Sequence, residues 1–313
     1  MTDIADDSTA SASGASGARP AGLAWLGLAL IGLAWGLTQP LSRMAMSTGH
    51  HPMGVAFLNA LICLLALSLL LLLRRRRLPI SRRHLIFYLI CGFLGTALPN
   101  ALSFRAFVEL PVGVLSIIIA CVPMATLLLA WGAGVERPEA RRLVGLGLGL
   151  AAIAAIALPE TSLPDPTKAV FILLPAVVVL SYAAETVFIA ARRPAGLDAL
   201  TILTGLFLGA VMLLLPLTAL LGAWVRPWPA GAAELSILGI SLLHIFAYGG
   251  FVWLIGKAGP VFASQVGYIV TITGVLGGIL VFGERHSAWI WAALVLMFAG
   301  LTLVRPRKRD QSA

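Results

Sequence analysis

The sequence is short of charge and lacks the motifs by which many enzymes and metal centres are recognised. Only 11% of its 313 residues are charged, whereas about 25% are charged in an average soluble domain. Its three cysteines, Cys63, Cys91 and Cys121, have no metal-ligand spacing, and a free cysteine usually behaves as a small buried hydrophobe. The chain has neither an HExxH motif nor a phosphate-binding loop for ATP. These absences argue against an enzyme, and no residue pattern calls for a cofactor or a metal ion.

Long apolar segments, by contrast, recur along the whole chain, and no aspartate lies within any of them. A helix needs about 20 apolar residues to cross a hydrocarbon core of about 30 Å. Ten such segments can be placed, at residues 23–44, 53–73, 86–107, 112–133, 143–158, 169–191, 199–221, 236–256, 260–282 and 288–304. The predicted fold class is therefore all-α: a polytopic membrane protein with ten transmembrane helices.

The basic residues are unevenly distributed between the two sides of this predicted bundle. With the N-terminus inside, most of the 22 Lys and Arg residues fall in the cytoplasmic segments, as the positive-inside rule requires. We therefore expect a bacterial-type inner-membrane protein with both termini cytoplasmic. The net charge of +9 is then a topology signal, and we expect the lipid bilayer, not nucleic acid, as the partner.

The two halves of the chain repeat each other. An offset of 148 residues places Glu136-Arg137 opposite Glu284-Arg285, each at the turn between the fourth and fifth segment of its half. Because each half has an odd number of segments, the second half must enter the membrane upside down relative to the first. Such inverted repeats build many secondary transporters, in which the substrate site lies near the midplane between the repeats.

Three stretches resemble a known family. They are "AWGLTQPLSR", "LSFRAFVELPVGVLSIIIACVP" and "FGERHSAWIWAALVLMFAGLTLV", and they are similar to the drug/metabolite transporter superfamily of the kind with two EamA-type domains. The resemblance implies a carrier that moves a small polar or amphipathic solute, often outward. It also implies that the first four helices of each half enclose the cavity and that the fifth and tenth lie outside it. The expected domains are a disordered cytoplasmic tail at 1–21, five-helix repeats at 22–160 and 161–305, and a basic cytoplasmic tail at 306–313.

One carboxylate, Glu185, lies inside an apolar segment, where a charge at the bilayer centre costs about 2.5–3.5 kcal/mol on insertion scales. Tyr182 and Ser181 precede it by one helical turn, and Arg192 follows seven residues later. Glu185 either faces the cavity, as the partner of a substrate ammonium or as a proton carrier, or it snorkels to pair with Arg192.

Several neutral polar and aromatic residues are candidates for the cavity lining. His244, between Ser241 and Tyr248 on one helix face, either takes part in proton coupling or is a neutral histidine hydrogen-bonded inside the bundle. The others are Trp35, Thr38, Gln39, Ser42, Asn59, Asn100, Ser264, Gln265, Tyr268 and Thr271. They suit a cavity that binds through neutral hydrogen bonds and aromatic walls, although polar residues can also join helices to one another.

Two further pairs have mainly structural interpretations. Arg105 and Glu109 are four residues apart and are expected to form a salt bridge at the membrane surface, with a substrate-carboxylate anchor as the alternative. Gly145 and Gly149 have the small-xxx-small spacing of a helix-packing face.

Together these features predict a secondary transporter of the inner membrane that exports a small metabolite, an amino acid or a related compound, by alternating access. The alternatives are efflux of cationic or amphipathic drugs by proton antiport and, third, a channel. Protons would be coupled through Glu185 or His244, or the protein would act as an exchanger or uniporter without an ion. No residue pattern fixes the oligomeric state.

Overall fold

A computed structural model of the chain describes residues 22–134, 139–159, 163–258, 260–263 and 265–304, and these ranges contain helices and no β-strand. The helices are α1 (Gly22–Ala45), α2 (Pro52–Leu73), α3 (Arg82–Glu109), α4 (Val112–Gly132), α5 (Ala140–Ala157), α6 (Pro166–Arg192), α7 (Ala199–Leu220), α8 (Ala232–Ala258), α9 (Val266–Phe282) and α10 (Ala288–Leu303), with a four-residue helix, Pro260–Ala263, before α9. The first eight are long and apolar enough to cross a membrane, and α9 and α10 are shorter apolar helices. The predicted all-α, multi-pass fold is confirmed.

Some of the residues on which the sequence analysis relied lie outside the described residues. These are both predicted tails, the Glu136-Arg137 dipeptide and Ser264.

Four helices, α1, α3, α6 and α8, extend at both ends beyond the apolar segments from which they were predicted. Helix α8 begins at Ala232, four residues before the predicted start. Its first turn contains Glu234, whose Oε2 accepts a 2.8 Å hydrogen bond from the Gly231 N–H, and a carboxylate in that position is favoured by the helix dipole. Hydropathy marks only the part of a helix that contacts lipid tails, so it misses polar first turns of this kind.

The packing of the helices is symmetric on exchange of the two halves. Helix α1 of the first half packs against α8 and α9 of the second half. Its counterpart α6, the first helix of the second half, packs against α3 and α4 of the first half. The pairs α2–α7, α4–α9 and α5–α10 each join a helix to its counterpart in the other half. With five helices in each half, this pattern is that of an inverted repeat.

Small residues bring α5 and α10 into close contact at the periphery of the bundle. A Cβ added to Gly145 would lie 2.8 Å from the Gly300 carbonyl oxygen, and one added to Gly300 would lie 2.5 Å from the Met124 side chain. Met124 also fills the space beside Gly149. The predicted helix-packing face is therefore present, and it joins the fifth helix to the tenth.

The two ends of the bundle have different ionic contacts. The arginine-rich end contains residues 74–83 and 192–193, and here Arg76 pairs with Asp198, which also caps α7 by accepting a 2.9 Å hydrogen bond from the Thr201 N–H. The opposite end contains residues 46–51 and 283–287. Burial acts to raise the pKa of Asp198, but the hydrogen bonds from Thr201 and the nearby arginine charges outweigh it and hold the pKa below its ordinary value.

Candidate functional site

Helix α3 is interrupted in its middle by a π-helical turn, Phe93–Ala97, followed by Pro99. In the five-residue spacing of a π turn, the N–H of residue 99 would bond the Leu94 carbonyl, but proline has no N–H to donate. Instead, Ser181 of α6 donates its hydroxyl to the Leu94 oxygen at 2.7 Å. The interruption therefore fastens α3 of the first half to α6 of the second.

Glu185 lies one turn beyond Ser181 on α6, and its carboxylate rests directly on Gly95 within that π turn. The residue is 8% exposed. Among the described residues, neither a hydrogen bond nor an ion pair is made to this carboxylate. The carboxylate points across to α3 and not along α6. The ion pair with Arg192, in which Glu185 would snorkel along its own helix, is therefore not formed.

Two tyrosines lie near this carboxylate, and further aromatic rings pack against one of them. Tyr182 and Tyr248 are both within electrostatic range of Glu185, and Tyr248 is also close to Tyr182. Trp35 of α1 meets Tyr248 edge-on with 5.1 Å between ring centroids, and Phe251 lies 5.4 Å from Trp35. Glu185, Tyr182, Tyr248, Trp35 and Phe251 are hereafter called the Glu185 cluster.

The aromatic members of the cluster, on α1, α6 and α8, are neither fully buried nor fully exposed. Tyr182 and Tyr248 are both half-buried. Trp35 is likewise half-buried. The region between α1, α3, α6 and α8 that these side chains border is hereafter called the crevice.

A polar network lies beside the cluster. Asn59 of α2 is fully buried and donates its amide N–H to Ser241 of α8 at 2.9 Å, while Asn100 of α3 donates to the Asn59 oxygen at 3.4 Å. Ser241 and Tyr248 are two helical turns apart, or about 10 Å. The Asn59 network thus joins three helices, and the half-buried Asn100 keeps part of its amide uncommitted.

His244 on α8 and Gln39 on α1 are both half-buried. His244 is half-buried and forms no hydrogen bond within the part of the chain that the structure describes. The interpretation of His244 as a neutral histidine hydrogen-bonded inside the bundle therefore has no acceptor or donor to support it among the described residues. Gln39 is half-buried on α1 and packs beside Gly274 of α9, next to Ser116 of α4.

The remaining candidates do not join the cluster. Tyr268 packs against Phe298 of α10, with 5.3 Å between ring centroids, and its hydroxyl is buried without a partner in the described ranges. Gln265 lies half-buried just before α9, toward the arginine-rich end. The hydroxyls of Thr38, Ser42 and Thr271 bond carbonyls of their own helices.

Arg105 forms the predicted local ion pair. Its Nη2 lies 2.8 Å from Glu109 Oε1, and Lys168 approaches the other carboxylate oxygen at 3.3 Å. The guanidinium also lies over the Phe171 ring, 5.6 Å from its centroid. Arg105 is thus already paired at the opposite end, far from the Glu185 cluster.

Two openings lie on the surface of that opposite end, and neither is lined by a residue of the Glu185 cluster. Their volumes are about 200 and 530 Å³. The larger is bordered by Arg43, Glu284, Arg285 and Ser287. Among the described residues, no group of three or more His, Cys, Asp or Glu side chains could hold a metal ion.

Sequence reasoning missed Gly95, Leu94 and Phe251 as parts of the site. The glycine before Pro99 was a usable signal, since proline frees a carbonyl and glycine admits a close neighbour. No pattern in the chain indicates that this particular gap is filled by Glu185.

Comparison with known proteins agrees with this architecture. The profile of the EamA-like transporter family matches residues 22–158 and 169–305. The "Uncharacterized inner membrane transporter YedA" of Escherichia coli strain K12 is 28% identical over 278 residues, covering 85% of each chain. The "Uncharacterized transporter YvbV" of Bacillus subtilis strain 168 is 24% identical over 293 residues, covering 91% of this chain and 92% of that one. A solved crystal structure shares the fold, with a TM-score of 0.60 at 18% identity over 88% of this chain and 95% of the other. The chain therefore belongs to the EamA-like transporter family and is a multi-pass membrane transporter.

Proposed function

We propose that the protein is a secondary transporter of the inner membrane that exports a small amine-bearing metabolite, an amino acid or a related compound, by alternating access. The observation that carries this proposal is the Glu185 carboxylate, which lies between the two halves without a cationic partner among the described residues. An unpaired carboxylate inside a membrane protein is costly and marks a substrate or ion pathway. An ammonium group on the substrate would supply the missing partner.

The rings of the Glu185 cluster support a cationic ligand independently. An ammonium over the face of a tryptophan or tyrosine is attracted by the ring quadrupole, and Trp35 and Tyr248 both border the crevice. The uncommitted N–H of Asn100 can donate to a carboxylate on the same molecule. This combination favours an amino acid over a simple amine.

Efflux of cationic or amphipathic drugs by proton antiport is the second candidate. The observation that favours it is the apolar side of the crevice, where Phe251 adjoins Trp35. A proton and an organic cation would compete for Glu185, and this competition couples their opposite movements. In an amino-acid exporter the same competition would couple export to proton entry. We place both termini on the cytoplasmic side, in keeping with the arginine-rich end.

Counterflow into proteoliposomes tests the function. Liposomes preloaded with one member of a panel of amino acids, amines and lipophilic cations would be diluted into the same compound carrying a radioactive label. Saturable uptake of an amino acid that exceeds uptake of its decarboxylated amine supports the main proposal, whereas uptake of lipophilic cations alone favours the second. A sustained single-molecule current without saturation would indicate a channel.

Two variants make the assay specific for the site. Glu185→Gln removes the charge at nearly constant volume and should abolish counterflow of the amine-bearing substrate. Glu139→Gln is the matched control, because the Glu139 side chain is 51% exposed at the start of α5 and lies outside the crevice. Equal loss in both variants would speak against a role for Glu185.

A further inference from the structure

A second buried carboxylate, Glu284, lies in the turn between α9 and α10 and contacts the other half of the protein. Its Oε1 accepts hydrogen bonds from the Arg43 guanidinium at 2.5 Å and from the Val112 N–H at 2.7 Å. Its Oε2 accepts from the Gly113 N–H at 3.1 Å. These amides are the free donors at the start of α4, where the helix dipole also favours a negative charge. The Glu284 side chain is only 6% exposed.

These contacts join three helix ends that belong to different halves. Arg43 ends α1, Val112 begins α4, and Glu284 follows α9. Gly283 has a left-handed φ of 64° and reverses the chain direction after α9. The Glu284 side chain consequently packs beside Gly278 of α9 and Gly113 of α4. The Arg43 guanidinium also lies 4.8 Å from the centroid of the Phe282 ring, so α1 is held by both a charge and an aromatic face.

The neighbouring histidine covers the carboxylate. His286 Nε2 lies 3.6 Å from Glu284 Oε2, its side chain is 2% exposed, and that nitrogen has no hydrogen-bond partner among the described residues. The ring packs against Gly113, where a Cβ would lie 2.6 Å from Nε2. Arg43 is 34% exposed and borders the 530 Å³ opening, so water reaches the pair from the opposite end.

We propose that Glu284 is the gating residue of the opposite end: it latches the α9–α10 turn to α1 and α4, and the crevice opens toward that end only when the latch is released. The inference rests on the proposed alternating-access function. An opening between the halves must separate α1 and α4 from this turn. An ionic latch suits that task because water can replace its hydrogen bonds once the halves part, whereas buried apolar packing would leave exposed hydrophobic surface.

Cysteine alkylation with a membrane-impermeant maleimide tests this inference. Ser42→Cys places a thiol at a buried position beside Arg43, and Gln265→Cys places one near the arginine-rich end. Reagent is applied from one side at a time, and the three native cysteines, all buried, set the background. In Glu284→Gln we expect the cysteine at 42 to react about tenfold faster from the opposite end, which is the effect of losing about one charge-assisted hydrogen bond. The cysteine at 265 should react more slowly from the arginine-rich end.

The two reporters separate gating from loss of structure. A destabilised fold would expose both thiols, so faster reaction at both positions, or unchanged reaction at both, overturns the proposal. Arg285→Gln is the matched control, since Arg285 is adjacent and exposed, and it should leave both rates unchanged. If Glu284→Gln does not assemble, Arg43→Gln removes the same ion pair from the other partner and should shift the rates in the same directions.

The labelling does not depend on any transported substrate. Labelling rates that contradict the proposed latch would therefore leave the conclusion from the counterflow assay unchanged. Conversely, a shift in the labelling rates without any saturable counterflow would support the latch and reject the proposed transport activity.

Discussion

Gly95 of α3 and Glu185 of α6 are in direct contact, with the carboxylate occupying the space that a Cβ at residue 95 would need. The two residues belong to different halves of the chain and are held together by the Ser181–Leu94 hydrogen bond one turn away. The only acid of α6 is thus positioned by a glycine in an irregular turn, and the role that we propose for it depends on that contact.

Replacing Gly95 should therefore impair the site without unfolding the protein. In Gly95→Ala the new methyl group displaces the carboxylate. A loss of about 1.4 kcal/mol of substrate binding then lowers counterflow about tenfold at low substrate concentration. The control is Gly132→Ala, where a Cβ meets no atom within 4 Å. Wild-type activity in Gly95→Ala would show that the position of the carboxylate is unimportant.

Two glycines on α5 should respond in opposite directions. Gly145→Ala forces a Cβ against the backbone of α10, and overpacking of this kind costs about 1–3 kcal/mol. Gly147→Ala points into open space and should stabilise the helix by about 0.5–1 kcal/mol. Thermal unfolding in detergent measures both. Similar changes in the two variants would contradict the close α5–α10 packing.

The Asn59 network should contribute modestly to stability. Ser241→Ala leaves the Asn59 amide without its acceptor, and interhelical hydrogen bonds in membranes average about 0.6 kcal/mol with a maximum of about 1.7. Ser236→Ala is the control on the same helix, because its hydroxyl donates to the Ala232 carbonyl of its own helix and, among the described residues, to no other helix. Equal effects of the two substitutions on the unfolding temperature would mean that the bond between helices contributes nothing.

The cap at Asp198 should be sensitive to charge and pH. Asp198→Ala removes the cap of α7 and should cost about 0.5–2 kcal/mol, whereas Asp198→Asn retains a capping oxygen and should cost less. Because the folded protein holds the pKa of Asp198 below its ordinary value, its charge stabilises the fold above about pH 3.9. This contribution is lost as the pH falls through the lower folded-state value. Unfolding curves of wild type and Asp198→Asn should therefore converge in acid, and a gap that widens toward low pH would contradict this.

Hydropathy and the internal repeat were sufficient to predict the main helices that the structure describes and their inverted arrangement. A bilayer requires long apolar segments whatever their neighbours are, and five segments in each half invert the second half. The same reasoning could not predict the partner of Glu185. Its sequence neighbourhood offered Arg192 on the same helix, and the structure instead points the carboxylate at α3. A helical period indicates which residues share a face, but it does not indicate which helix that face meets.

Tyr268 illustrates the same limit. Its spacing from Thr271 predicts a common face on α9, yet its ring packs against Phe298 of α10, the peripheral helix. Trp35 and Tyr248, which no spacing relates, meet edge-on because α1 packs against α8. The sequence could thus indicate candidate polar residues, while their grouping depended on the tertiary packing.

The most direct test of the central claim, that Glu185 binds the substrate's ammonium group, is the pH dependence of substrate affinity. The best substrate from the counterflow panel would be titrated calorimetrically into purified wild type and Glu185→Gln between pH 5 and pH 8. A proton and an ammonium group cannot both occupy one carboxylate, so wild-type affinity should fall as the pH is lowered, by up to about tenfold per unit. Glu185→Gln should bind weakly at every pH, with no such slope. An equal slope in both proteins would contradict the claim and would transfer the proton-sensitive role to another group, such as His244.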